Sequence, residues 1–240
     1  MTSSSERYES PLTARYSSLA MQRLWSARHK AVLWRRLWLA LAEEQARLGL
    51  NIPDTALEEM RSHIDDVDLD AVAQYEQKFR HDVMAQIHAF GDIAPAARPY
   101  IHLGATSAFV TDNADLIVMR EGLEIILGRL KKLLGCLKQF ALTYRTMPTV
   151  AFTHFQPAQL TTVGKRAALW LYDLAQEAEI LARLESELPS RGCKGTTGTQ
   201  ASYLELFEGD HQKVKELDRR VAGALGFERT VPVTGQTYSR

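Results

Sequence analysis

From about Asn113 to Thr143 the chain carries Leu116, Leu123, Ile126, Leu127, Leu130, Leu133, Leu134, Leu137 and Leu142 at helical spacing. Apolar side chains spread over more than one face describe a long α-helix buried among other helices. Asp112 stands where an N-cap belongs. A second long helix is expected from about Ala158 to Leu188, carrying Ala167, Trp170, Leu174, Ala178, Leu181 and Leu184 and closed by Pro189. Two such helices point to an all-α fold with a long-helix bundle in its second part.

The first part is helical on a smaller scale. Leu24, Ala27, Ala31, Trp34, Trp38 and Leu41 recur at three- and four-residue steps between Ala20 and Leu48, and Gly49 stops the helix. Pro53 and Asp54 open a shorter helix to about Ser62. Another is predicted from Asp68 to Phe90, with Val72, Phe79, Val83, Ile87 and Phe90 on one stripe and Gly91 ending it. Residues 1–18 are polar and read as irregular. Pro95, Pro99 and Gly104 break the periodicity of residues 91–111, which places a boundary between a small helical domain, 1–111, and the start of the bundle, 112–240. Pro148 begins a second connector, and residues 190–200, rich in Gly and Thr, form a loop. Two short helices then end near Leu225, and the one strand-like piece is Thr230–Val233.

Composition narrows the function classes. The 240 residues, 45% of them hydrophobic, can bury a sizeable core. Twenty-nine basic residues balance 29 acidic ones, which argues against bulk electrostatic binding of nucleic acid or an anionic membrane. No apolar run approaches the roughly 20 residues that span a bilayer. The first residues lack the basic-then-apolar order of a secretory signal. Cys136 and Cys193 stand far apart and outside any Cys-x-x-Cys pair, so both read as reduced thiols of a cytoplasmic protein.

Four segments between or beside the helices could carry chemistry. Thr153-His154-Phe155-Gln156-Pro157 places a histidine, whose ordinary pKa of about 6.5 suits proton transfer, just ahead of a long helix. A hydrogen-bonded structural histidine is the alternative. Arg80-His81-Asp82 is read on the helix from Asp68, where adjacent residues diverge by about 100°. Asp82 therefore need not touch His81, and the segment reads equally as a solvated charged face. His102-Leu103-Gly104-Ala105-Thr106-Ser107 offers small hydroxyl residues at a helix start, a good anion site or an ordinary turn. Gly192-Cys193-Lys194-Gly195-Thr196-Thr197-Gly198-Thr199-Gln200 lacks the Gly-Lys-Ser/Thr ending and the preceding strand of a nucleotide-hydrolase loop. Gly164-Lys165 fails the same pattern at Arg166. A substrate-facing loop and a plain interhelical turn both remain for residues 192–200. No metal-ligand spacing is present in the sequence.

Taken together, the run Phe152 to Arg166, Lys194 to Gln200 and Thr234-Gly235-Gln236-Thr237-Tyr238 resemble the adenylosuccinate lyases of the fumarase and aspartase superfamily, over about Ser10 to Arg240. The Thr-His-x-Gln element alone would indicate only the superfamily; the added runs fit argininosuccinate lyases and cycloisomerases less well. The resemblance implies elimination of fumarate from adenylosuccinate, giving AMP, and from the succinyl-carboxamide ribotide of purine synthesis, with no metal or organic cofactor. It makes His154 the general acid. Arg15 and Tyr16 match residues at the nucleotide phosphate end, and Arg80, His81 and Asp82 match a substrate-binding trio. Thr106 and Ser107 match hydroxyl ligands of the succinyl part, and Gln236 matches an amide that binds substrate. Thr153 and Lys165 lie beside these. The implied assembly is a homotetramer with shared active sites, bound to small purine nucleotides and to neither nucleic acid nor membrane.

One departure matters. The base implied by the resemblance is a serine in a Ser-Ser-x-Met-Pro-x-Lys-x-Asn run, and the sequence has no such run. The chain is therefore expected to be the front half of such a protein, inactive alone, with apolar faces of the helices at 113–143 and 158–188 left exposed. A non-catalytic helical module that associates with a full-length partner is the competing reading.

Overall fold

The computed structural model describes residues 10–238. They are mostly helical, as expected, and form two compact units: Met1–Met119 with Pro189–Arg240, and Arg120–Leu188. The irregular start expected for residues 1–18 lies outside the described residues as far as residue 9. Beyond it, Leu12–Tyr16 makes a single π-helical turn, closed by the Ser17 amide donating to the Leu12 carbonyl at 2.8 Å.

In the first unit, α1 (Leu19–Leu24) and α2 (Ala27–Arg47) replace the one helix expected from Ala20. The Ser26 side chain ends the earlier helical run by accepting from the His29 amide, capping α2. α2 is the core of this unit. Trp38 is fully buried, stacked with Phe90 at 6.4 Å and edge-on to Trp34 at 6.3 Å. Truncating a residue so enclosed costs about 3–5 kcal/mol. α3 (Asp54–Ser62) opens after Pro53 and ends at Ser62, as expected.

The helix expected from Asp68 to Phe90 is two helices, α4 (Leu69–Phe79) and α5 (Asp82–Ile93). Arg80 breaks them with a left-handed φ of 55°. The apolar stripe runs through the break, so periodicity hides it. The long helix α6 (Ser107–Thr143) begins six residues earlier than Asn113. Asp112 is no N-cap; it lies inside α6, buried, and pairs with Arg191. α8 (Ala201–Leu206) and α9 (His211–Ala224) complete the unit. In place of a strand at 230–233 there is a single bridge between Ser190 and Thr230.

The second unit holds the rest of α6, a two-stranded antiparallel hairpin and α7 (Val163–Glu187). β1 (Pro148–Thr153) and β2 (Gln156–Thr162) occupy a stretch expected to be connector and helix start. Their register runs from Pro148 opposite Thr162 to Thr153 opposite Gln156, with a bulge between Val150 and Phe152. α7 therefore starts at Val163 rather than Ala158, capped by the Thr162 hydroxyl accepting from the Lys165 amide at 3.0 Å. Within this unit Ile126, Leu133, Phe140, Leu169, Trp170, Ile180 and Leu184 are exposed.

Candidate functional site

Five non-glycine residues among those described have left-handed backbone: Arg80, His102, His154, Phe155 and Glu208. Four of the five fall in segments that the sequence singles out for chemistry. Such conformations cost of order 1–3 kcal/mol each and persist only where the surroundings enforce them. Each unit is therefore described by itself, from the segment in which these residues stand.

In the first unit, the turn at Arg80 frees His81 to cap α5. His81 Nδ1 accepts from the Met84 amide at 3.3 Å. In the neutral ring the proton then sits on Nε2, which faces Ser107 Oγ at 3.3 Å. The contact joins residues 26 positions apart, so the structure brings two of the predicted substrate ligands together. Asp82 accepts from the Val83 amide at 2.8 Å and lies 3.7 Å from His81 Nδ1, within ion-pair reach but beyond a hydrogen bond. Arg80, His81 and Asp82 are all exposed, while Thr106 is buried beside the half-buried Ser107 at the head of α6. Arg15 and Tyr16 sit exposed on the π-helical turn.

The Gly/Thr loop divides into a buried base and an exposed tip. Residues 191–195 are buried, and Thr196, Thr197 and Thr199 are exposed. Arg191 is the clamp. Its guanidinium donates to the carbonyls of Lys194 at 2.8 Å, Gly195 at 3.2 Å and Gln236 at 2.6 Å, and pairs with Asp112 at 3.4 Å. Burial pulls the guanidinium below its usual pKa and Asp112 opposes that pull. Asn113 Oδ1 accepts the amides of Arg191 at 2.9 Å and Gly192 at 3.3 Å. Asp218 accepts from the Cys193 amide at 2.6 Å, from Lys194 Nζ at 3.3 Å and from the Thr230 hydroxyl at 2.9 Å. Gly192, at φ 79°, permits this: a Cβ there would lie 2.3 Å from Asp218 Oδ1. Gln236 is thus fixed by its backbone carbonyl while its side chain stays exposed.

In the second unit, His154 and Phe155 are the two central residues of the hairpin turn, at φ 48° and 59°. Both left-handed is the signature of a type I′ turn, which ordinarily selects Asn-Gly. His154 is exposed at the tip and Phe155 is wholly exposed, with Thr153 and Gln156 as the closing pair. Arg166 braces the hairpin by donating to the Val150 carbonyl at 2.5 Å. Lys165 is exposed at the start of α7.

Sequence reasoning missed the scaffold residues Asp112, Asn113, Arg191 and Asp218. It also quoted His102 without assigning it a role. His102 Nδ1 accepts from the Trp38 indole at 2.8 Å, and burial followed by the nearness of His81 lowers its pKa to about 4. No local pattern announces such a pair, because its members are 64 residues apart. Among the described residues no group of three or more His, Cys, Asp and Glu side chains is placed to hold a metal ion, and no helix is long and apolar enough to cross a membrane. Cys136 is exposed and Cys193 buried, both free thiols.

The chain matches the protein family described as Lyase across residues 15–226. It belongs to the lyase family. Among curated lyases of this kind, the adenylosuccinate lyase of Schizosaccharomyces pombe is 50% identical over 236 residues, 97% of this chain and 49% of that protein. The adenylosuccinate lyase of Saccharomyces cerevisiae is 49% identical over 238 residues, 98% of this chain and 49% of that protein. The chain thus spans about half the length of the curated relatives it matches. The crystal structure of 3-carboxy-cis,cis-muconate lactonizing enzyme from Pseudomonas putida superposes with a TM-score of 0.79 at 24% identity, covering 92% of this chain and 50% of that one. At that identity the likeness is one of fold.

Proposed function

We propose that this chain carries the general-acid and substrate-orienting part of an adenylosuccinate lyase. The observation that carries the reading is the identity of 50% and 49% to two proteins of that name across nearly the whole chain. The reaction is a carbon–nitrogen elimination. A base removes the proton beside a carboxylate, that bond's electrons form the new double bond, and the nitrogen leaves with the C–N electrons and takes a proton. The products are fumarate with AMP, or fumarate with the carboxamide ribotide.

His154 suits the proton donor. The tip of a two-residue turn presents an imidazole, a group that can hand over a proton, without burying it. Ser107 and Thr106 suit the carboxylate on which charge develops. His81 Nε2–H donates to Ser107 Oγ, which leaves the Ser107 hydroxyl hydrogen free for the substrate. Arg80 and Asp82 flank that group, Arg15 and Tyr16 take the phosphate end, and Gln236 and Thr153 supply further polar contacts. The assembly in this reading is a cytoplasmic homotetramer with shared sites, without metal or cofactor. The base is not among these assignments, and the chain alone is expected to be silent.

The test is fumarate release from adenylosuccinate by the chain combined with the half of its relatives' length that it does not cover. Release that disappears in His154→Ala is the expected result. Release that survives that substitution removes His154 from the role of acid, and a combined protein that releases no fumarate removes the lyase reading.

A further inference from the structure

The turn that leads into α6 holds two left-handed residues, His102 at φ 70° and Gly104 at φ 72°. Backbone of this kind persists only where its surroundings enforce it. Here the enforcement comes from side chains distant in sequence. Gln45 Nε2, on α2, donates to the Leu103 carbonyl at 2.9 Å. The Ser202 hydroxyl, on α8, donates to the next carbonyl, that of Gly104, also at 2.9 Å. Gln45 is fully buried and Ser202 is exposed. α8 also closes on the turn by packing: a Cβ on Gly104 would lie 2.6 Å from Leu206 Cδ1 and 3.2 Å from Tyr203 Cδ1. Ser202 faces the Gly/Thr loop as well, since a Cβ on Gly195 would lie 3.7 Å from its Oγ. Ser107 follows Gly104 by three residues and meets His81 Nε2 at 3.3 Å. That distance is near the long limit of a hydrogen bond, so little displacement of the turn is needed to lose the contact.

We propose that Ser202 and Gln45 are positioning residues for the reaction: by gripping the consecutive carbonyls of Gly104 and Leu103 they set where Ser107 stands against His81. Neither touches the substrate in this account. Its bearing on turnover rests on the lyase reading, in which Ser107 and Thr106 hold the carboxylate on which charge develops. A donor aimed at developing charge works only from a fixed place, so loosening the turn costs turnover more than it costs binding of the rest of the substrate. Gln45 suits a positioning role for a second reason. Its Oε1 is buried without a partner, so a side chain that would be better satisfied as a hydrocarbon is kept for the one bond its amide nitrogen makes.

The experiment compares Ser202→Ala, Ser202→Thr and Gln45→Leu in the combined protein. Ser202→Ala and Gln45→Leu should each lower kcat for fumarate release from adenylosuccinate roughly fivefold, the worth of one hydrogen bond. Inhibition by AMP, which lacks the succinyl part, should be unchanged in both. Ser202→Thr keeps the hydroxyl and should recover most of the loss. Without any ligand, proton–nitrogen spectroscopy should show the His81 Nε2 resonance displaced in Ser202→Ala and restored in Ser202→Thr. Unchanged kcat in either Ser202→Ala or Gln45→Leu, or AMP inhibition weakened as much as turnover, overturns this proposal and leaves the lyase reading standing. A combined protein that releases no fumarate removes the lyase reading, and the ligand-free His81 resonance then decides the positioning by itself: a resonance that does not move in Ser202→Ala overturns it.

Discussion

The amide of Gly164 donates to the Tyr144 carbonyl at 2.9 Å, so α7 begins against the end of α6 with no side chain between them. A Cβ at Gly164 would lie 2.4 Å from the Ala141 carbonyl oxygen and 2.7 Å from the Arg145 Cα. Both are backbone atoms and cannot rotate aside. Gly164→Ala should therefore destabilise the second unit by at least about 2 kcal/mol, seen as a lower urea midpoint. An unchanged midpoint would mean that the two helix ends separate freely.

Asp112 and Arg191 are both essentially unexposed, so removing Asp112 leaves the Arg191 guanidinium buried without that carboxylate. Asp112→Ala should cost about 3–5 kcal/mol. Hydrogen exchange gives a sharper reading. The Tyr238 amide donates to Asp112 and should lose its protection first. The Arg191 and Gly192 amides donate to Asn113 and should keep theirs longer.

His102 gives a definite pH dependence. Its pKa is lowered to about 4 in the folded chain, against an ordinary value of about 6.5 when unfolded. Between those values the unfolded chain binds the extra proton. Stability should thus rise with pH from about 4 to 6.5 and be independent of this group above that. The loss on acidification is on the order of 3 kcal/mol. Urea midpoints at pH 4.5 and 7.5 measure it, and His102→Gln should shrink the difference between them.

The His154-Phe155 turn places two bulky residues where glycine or asparagine belongs, at about 1–2 kcal/mol per residue. Phe155→Gly should stabilise the second unit by about 1 kcal/mol in chemical denaturation. His154→Gly should stabilise it similarly while removing fumarate release from the combined protein. A destabilised Phe155→Gly would show that the exposed ring makes contacts that outweigh the strain.

Helices were legible wherever a terminus carried its own chemistry. Pro53 and Asp54 fix the start of α3, and residues 190–200 read correctly as a loop. Local pattern failed where a distant partner decides the outcome. Asp112 reads as an N-cap, but Arg191, far along the chain, draws it into the core. The break at Arg80 leaves the apolar stripe from Val72 to Phe90 in phase, so nothing in the spacing betrays it. The hairpin was missed because its turn is His-Phe rather than Asn-Gly and because β2 carries Pro157 and few apolar residues. The family resemblance singled out His81 and Ser107, but their contact depends on the backbone turn at Arg80. His102 depends on Trp38, which reads as an ordinary core residue.

The Arg191 clamp also bears on the order in which the chain can fold. It ties α6 near Asp112 to residues 190–195 and to Gln236, on either side of a long intervening stretch. That stretch, Arg120–Leu188, is built from neighbours in sequence: the latter part of α6, a tight hairpin and the helix that follows it. On a ribosome it can settle as it emerges, whereas in the first unit Asp112 must wait for Arg191 before these buried charges meet. Lengthening the intervening stretch would add little to the equilibrium cost of closure, about 0.6 kcal/mol per doubling. It would lengthen the interval in which Asp112 waits for its partner, and aggregation during synthesis is the vulnerability that follows.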